Sequence, residues 1–277
     1  MGTGATIIFS LGGFMRKTKA LSEFKELSKS DKYIIREYAD YDHVNYGHDR
    51  FINIDNKIFS MNEINETTKG FYIWLSTYKQ VDRRGTKIII PRLTINWMIK
   101  EIGITTNSSY AVRTFTKMLS NLSSIGLIDI DVDLKHLEKN QTFTVILKNA
   151  RAKYKYFTQI YIGNIDMIID NKNGFEAFKY CFSYAAIRSF ITEKKEDTKV
   201  ITLAGKLIQE RMHLSKASYY RRLDWLKDHH IIAMFMVQML NEYGNRKILI
   251  SDIRDMQNLI ITINDWKSKK IISSVIR

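Results

Sequence analysis

The stretch LAGKLIQERMHLSKASYYRRLDWLKDHHIIAMFMVQMLNEYGNRKILI, residues 203–250, decides the fold. Leu203, Leu207, Ile208 and Met212 recur at helical spacing, and His213-Leu214-Ser215 interrupts them. Ser215 is suited to be a helix N-cap, because its hydroxyl can accept an otherwise unpaired backbone N–H of the first turn. A second helix is expected from Lys216 to about His229, with Tyr219, Leu223 and Leu226 on its core face. After His229-His230 the apolar run 231–240 reads as a long strand, which turns at Asn241-Glu242-Tyr243-Gly244-Asn245 and returns through 247–250. The order is helix, turn, helix, β-hairpin.

The same order occurs once before. Residues 93–102 read as a helix, Thr105-Thr106-Asn107-Ser108 as a polar break, and Val112, Phe115, Leu119 and Leu122 as the core stripe of a second helix. Gly126 is placed to end that helix in a left-handed conformation. Strands 127–132 and 142–147, joined by a polar loop through Lys139-Asn140, complete a hairpin. Upstream elements repeat too: single strands at 87–90 and 199–202, charged turns at 79–86 and 192–199, and aromatic helical stretches at 71–78 and 175–190. Before those come Phe51-Ile52-Asn53-Ile54-Asp55 and Tyr161-Ile162-Gly163-Asn164-Ile165-Asp166, both read as short extended segments. A repeat at this spacing implies one supersecondary unit used twice. The expected fold is α+β and helix-rich, with two tandem winged helix-turn-helix domains. Residues 1–45 form an N-terminal basic arm or extension, 46–150 the first domain, and 151–277 the second with a C-terminal helix. A join between Lys148 and Lys155 is expected to separate independent modules.

Composition narrows the partners. In 277 residues, 43 Lys and Arg against 29 Asp and Glu leave a net charge of +14 and a pI near 9.6, which favours a polyanion. Double-stranded DNA is the expected one. No apolar run approaches the roughly 20 residues that span a bilayer, so no membrane partner is expected. Cys181 is the single cysteine, which precludes an intramolecular disulfide and fits a reducing cytoplasm. Arg16 and Lys17 follow the apolar run 5–14 instead of preceding it, unlike a secretory signal, and residues 1–14 read either as an upstream extension or as a non-native leader added before Met15.

The run Leu119-Ser120-Asn121-Leu122-Ser123-Ser124-Ile125-Gly126-Leu127-Ile128, with Phe51-Ile52-Asn53-Ile54 ahead of an aromatic helix, resembles plasmid replication initiators of the tandem winged-helix type. The first half is similar to the amino-terminal module of initiators from low-G+C bacterial plasmids, and the likeness covers residues 50–250 in pattern. It implies binding to repeated origin sites and recruitment of host replication proteins. The stretch 104–126 is longer than its counterpart 214–230, so the first recognition helix departs from the second.

A recognition helix presents donors to base edges while flanking cations hold phosphates. In the second copy Ser215, Lys216, Ser218, Tyr220, Arg221 and Arg222 have suitable side chains, and Arg246 and Lys247 sit on its wing. Tyr219 falls on the Leu223 and Leu226 stripe and reads as core. In the first copy Ser108, Ser109, Tyr110, Arg113 and Lys117 are the candidates, with no acidic residue from Thr105 through Ile128. Asp129, Asp131 and Asp133 alternate along the first wing strand and are expected to share a face that repels DNA. The second module is therefore expected to be the stronger reader.

Catalysis is not expected. No Gly-x-x-x-x-Gly-Lys-Ser/Thr run cradles phosphate, and Gly12-Gly13 lacks the lysine. His43 with His48, and His229 with His230, lack metal-ligand spacing, so no metal and no cofactor is expected. Without a metal, Tyr219-Tyr220 reads as a helix segment and not as a nicking nucleophile. A transcriptional regulator of the same fold is the alternative to an initiator, and a relaxase is disfavoured. The segment 251–277, with Ile253, Met256, Ile260 and Ile263, offers a dimerisation helix and hence a homodimer.

Overall fold

A computed structural model describes residues 21–39, 50–82, 87–105, 108–148, 157–193, 199–202, 205–240 and 245–276. In chain order the elements are α1 (Lys29–Ala39), β1 (Phe51–Asp55), α2 (Lys57–Ser60), α3 (Glu66–Ser76), β2 (Gln80–Val81), β3 (Ile88–Leu93), α4 (Ile95–Glu101) and α5 (Ser108–Ser124). There follow β4 (Ile128–Ile130), β5 (Phe143–Leu147), β6 (Phe157–Tyr161), α6 (Ile162–Asn171), α7 (Glu176–Glu193), β7 (Val200–Ile201) and α8 (Gly205–Met212). The chain closes with α9 (Lys216–Asp228), β8 (Ile232–Met239), β9 (Arg246–Asp252), α10 (Met256–Ser268) and β10 (Ile272–Val275).

Local chemistry sets the boundaries. Asn65, Thr94 and Ser215 cap α3, α4 and α9, accepting from the backbone N–H groups of Thr68, Trp97 and Ser218. The helices α5 and α9 end alike. Gly126 (φ 74°) follows α5 with Leu127 N–H returning to Leu122 O at 3.0 Å, and His230 (φ 53°) follows α9 with Ile231 N–H returning to Leu226 O at 2.9 Å. Counting back from these terminators superposes the buried stripes: Ala111, Phe115, Met118, Leu119 and Leu122 fall on Ser215, Tyr219, Arg222, Leu223 and Leu226. Four of the five α9 positions are buried like their partners, the N-cap Ser215 being the exception. In each half the strand before the two helices pairs with the far strand of the hairpin, giving the orders β2-β3-β5-β4 and β10-β8-β9-β7.

The halves join face to face. β1 pairs antiparallel with β6, Phe51 opposite Tyr161 and Asp55 opposite Phe157. Behind this ribbon α3 lies against α7, with Phe71, Trp74 and Phe178 fully buried and their rings 5.3–5.9 Å apart. Burying each such ring contributes about 2–3 kcal/mol. Gly70 permits the approach, because a Cβ there would fall 1.7 Å from the Phe178 carbonyl oxygen. One hydrophobic core, from Ile52 to Ile250, therefore runs through both halves. The expected join lies in 149–156, outside the described residues.

The second sheet is covered twice. Ile232, Met234, Ile248 and Ile250 face the shared core, whereas Ala233, Phe235, Val237 and Leu249 face a second core made with α10 and the N-terminal segment through Phe24, Leu27 and Ile35. Burial on both faces explains the unbroken apolar run of β8. The stripe Met256, Leu259, Ile260 and Ile263 of α10 is buried in that core, so the expected dimerisation stripe packs within its own chain. Asp31 of α1 closes the outer edge of β10 by accepting Val275 N–H at 2.8 Å and pairing with Lys267.

Two other expectations are corrected. Residues 162–166 are not extended: the strand is Phe157–Tyr161, and Ile165, Ile168 and Ile169 belong to the buried stripe of α6. The first wing aspartates do not share a strand face either, because β4 stops at Ile130. Asp129 pairs with Lys148 at 2.7 Å, Asp131 accepts Thr144 N–H at 2.7 Å, and Asp133 caps the 3-10 turn Leu134–His136. Among the described residues no helix is long and apolar enough to cross a membrane.

Candidate nucleic-acid interface

The helix α5 turns one stripe to solvent. Its core residues recur every three or four positions, which leaves Arg113, Lys117, Ser120 and Ser124 exposed on the opposite side. Ser109 and Tyr110 extend the exposed surface at its start, with Tyr110 54% exposed and its ring edge against Phe175. Ser108 begins the helix, and its side chain lies outside the described residues.

A groove runs along each side of this stripe. The larger, about 710 Å³, lies between α5 and the first turns of α3 and α7, and is lined by residues that include Thr67, Tyr110, Arg113, Lys117, Glu176 and Lys179. The smaller, about 500 Å³, lies between α5 and the loop joining β4 to β5, with Leu134, Lys135 and Leu137 on its far wall. Arg113, Lys117 and Asn121 border both, so they form a ridge. Among the described residues Glu176 is the single carboxylate lining either groove.

On α9 the positions matching Arg113, Lys117, Ser120 and Ser124 are Ala217, Arg221, Asp224 and Asp228. One stripe thus carries two cations and no acid, the other one cation and two acids. Lys216 and Arg221 are exposed, and Tyr220 is half-buried with its ring against Tyr219 at 5.1 Å. Ser215 and Ser218 are engaged in the cap, 3.1 Å apart between hydroxyls. On the β8–β9 hairpin Arg246 is exposed and Lys247 half-buried, opposite Gln238 and Val237. The turn between these strands, 241–244, lies outside the described residues.

Arg222 is a correction. Expected among the exposed cations, it is 5% exposed and donates to both oxygens of Glu66 at 2.7 and 2.9 Å, and to Ser183 Oγ at 3.0 Å. It occupies the core position that Met118 holds in α5, so its guanidinium points inward to the start of α3. The exposed surface of α9 therefore loses one of the cations expected on it. Tyr219 is 1% exposed, and burial raises its phenol pKa, as expected of a core residue.

The sequence reading missed Asn121, Lys135 and Lys179. Asn121 lies one turn beyond Lys117 and was accessible to the same periodicity; the other two come from the β4–β5 loop and from the opposite half. No family model and no curated protein matches this sequence.

Proposed function

We propose that this chain is a sequence-specific double-stranded DNA-binding protein with two winged helix-turn-helix modules, reading bases from α5 and α9. The observation that carries this reading is the α5 ridge, in which Arg113 and Lys117 stand exposed on a helix without a carboxylate and between two open grooves. An α-helix with its side chains is about 10–12 Å across and fits a major groove about 12 Å wide. Arginine in that position can bond guanine through two N–H groups. The net charge of +14 supplies the sequence-independent attraction that brings duplex to the surface.

The role is that of a replication initiator of a plasmid or related element, acting without catalytic chemistry of its own. Its support is the resemblance of residues 50–250 to tandem winged-helix initiators and the internal use of the α10 apolar stripe. A separate dimerisation helix is what a regulator would have added.

The test is a titration of random duplex at rising salt, followed by selection of preferred sites from a random pool. Affinity is expected to fall by about 0.9 log units per log unit of salt for each phosphate contacted. The selected site is expected to recur as direct repeats beside the reading frame. A flat salt response would contradict DNA binding, and a single isolated site upstream of a promoter would favour a regulator.

A further inference from the structure

We infer that the two grooves beside α5 seat the two sugar-phosphate strands of one DNA duplex, Lys179 of α7 holding one strand and Lys135 of the wing loop the other. This rests on reading α5 as a duplex-reading helix, and it adds which surfaces grip the backbone and from which half of the chain.

A helix seated in a major groove has one phosphate strand on each side of it. The ridge of Arg113, Lys117 and Asn121 meets that requirement, because the same three residues border a cleft on either hand. Each far wall then carries a lysine, Lys179 across the larger groove and Lys135 across the smaller; among the described residues neither ammonium group is ion-paired, and Lys135 meets Asp133 only through its backbone N–H. A lysine is a compact point charge able to hold phosphate without demanding a fixed geometry. Among the described residues that line the two clefts Glu176 is the one acid, against Arg113, Lys117, Lys135 and Lys179, and this balance favours a polyanion.

The two halves differ at this place for a physical reason. Beside α9 the Arg222 guanidinium spans to Glu66 at the first turn of α3. Beside α5 the matching side chain is Met118, which cannot bridge to Glu176, and the cleft stays open. The open cleft is walled by α3 and α5 from one half and α7 from the other, so a strand lying in it touches both halves. A single strand would instead stack bases on the exposed Tyr110 ring and its neighbour Phe175.

The test measures the salt slope of duplex binding by the full chain and its variants on a random duplex and on the selected one. Lys179→Ala and Lys135→Ala are each expected to lower the slope by about 0.9 on both duplexes, and the double variant by about twice that. Lys179→Arg keeps the charge and is expected to retain the parent slope. Glu176→Gln is expected to tighten binding to both duplexes. If the parent shows a steep slope that Lys179→Ala and Lys135→Ala both leave unchanged, the backbone lies elsewhere and the inference fails while the DNA reading stands. If the parent binds no duplex, the reading itself fails. If single-stranded oligonucleotide binds as tightly as duplex and Tyr110→Ala abolishes that binding, the cleft is a single-strand channel and the duplex inference is overturned.

Discussion

Arg222 on α9 donates to both carboxylate oxygens of Glu66, at 2.7 and 2.9 Å, across 156 residues of sequence. The pair ties α9 of one half to the first turn of α3 in the other, and Ser183 of α7 accepts a third bond. A charge so enclosed cannot be left without its partner cheaply. Arg222→Ala is expected to cost about 3 kcal/mol in denaturant unfolding. The double variant Arg222→Met with Glu66→Gln should recover much of this, since Met118 fills the same position in α5. Salt dependence of DNA binding should stay unchanged wherever the variant is folded. A folded Arg222→Ala chain that loses base discrimination would show that this arginine reads DNA after all.

Gly70 and Gly126 predict contrasting losses. A methyl group at Gly70 would overlap the Phe178 carbonyl, which is backbone and cannot step aside, so α3 and α7 must separate. Gly70→Ala is expected to cost about 3 kcal/mol or more and to expose the shared aromatic cluster. At Gly126 nothing lies within 4 Å, and only the left-handed backbone is at stake, worth about 1 kcal/mol. Parallel thermal melts of the two variants check the order, and equal losses would contradict the close helix contact.

Asp31 makes stability depend on pH in one direction. Burial pushes its carboxyl pKa up, but Lys267, Ser28 and the Val275 N–H more than offset this and hold it below the ordinary value. A depressed pKa means that the carboxylate stabilises the fold above the ordinary carboxyl pKa of about 4, and that this contribution disappears as pH falls through the lowered value. Asp31→Ala should be less stable than the parent near neutral pH, and the gap should close as melts are taken towards pH 2. A gap that stays constant with pH would remove the charge from the account.

Much of the fold could be read from the chain because its signals are local. Apolar spacing located α8 and α9, Ser215 marked a cap, and Gly126 marked a terminator, each within a few residues of the structure it specifies. Long-range partners carry no such mark. Arg221 and Arg222 look alike in the sequence, and only the stripe through Tyr219, Leu223 and Leu226 separates the exposed one from the buried one. Aligning Gly126 with His230 would have placed Arg222 on Met118 and flagged it. The grooves were not legible, because the larger one joins residues near 67, 113 and 179 through the contact of α3 with α7. Nor was the Asp31 edge closure, whose two acceptor contacts bridge 236 and 244 residues.

The most direct test of duplex reading by α5 compares Arg113→Ala with Arg221→Ala on the selected duplex and on a scrambled one of equal length. Arg113→Ala is expected to lose about 1–3 kcal/mol on the selected duplex and much less on the scrambled one, because a bidentate base contact is absent from non-specific complexes. Arg221→Ala should show the same pattern with a smaller loss, since Asp224 and Asp228 share its stripe. Leu223→Ala, by contrast, should lower stability by about 2–5 kcal/mol through the core without altering discrimination in the folded fraction. Folded Arg113→Ala and Arg221→Ala chains that bind both duplexes as tightly as the parent would contradict the assignment of base reading to these helices.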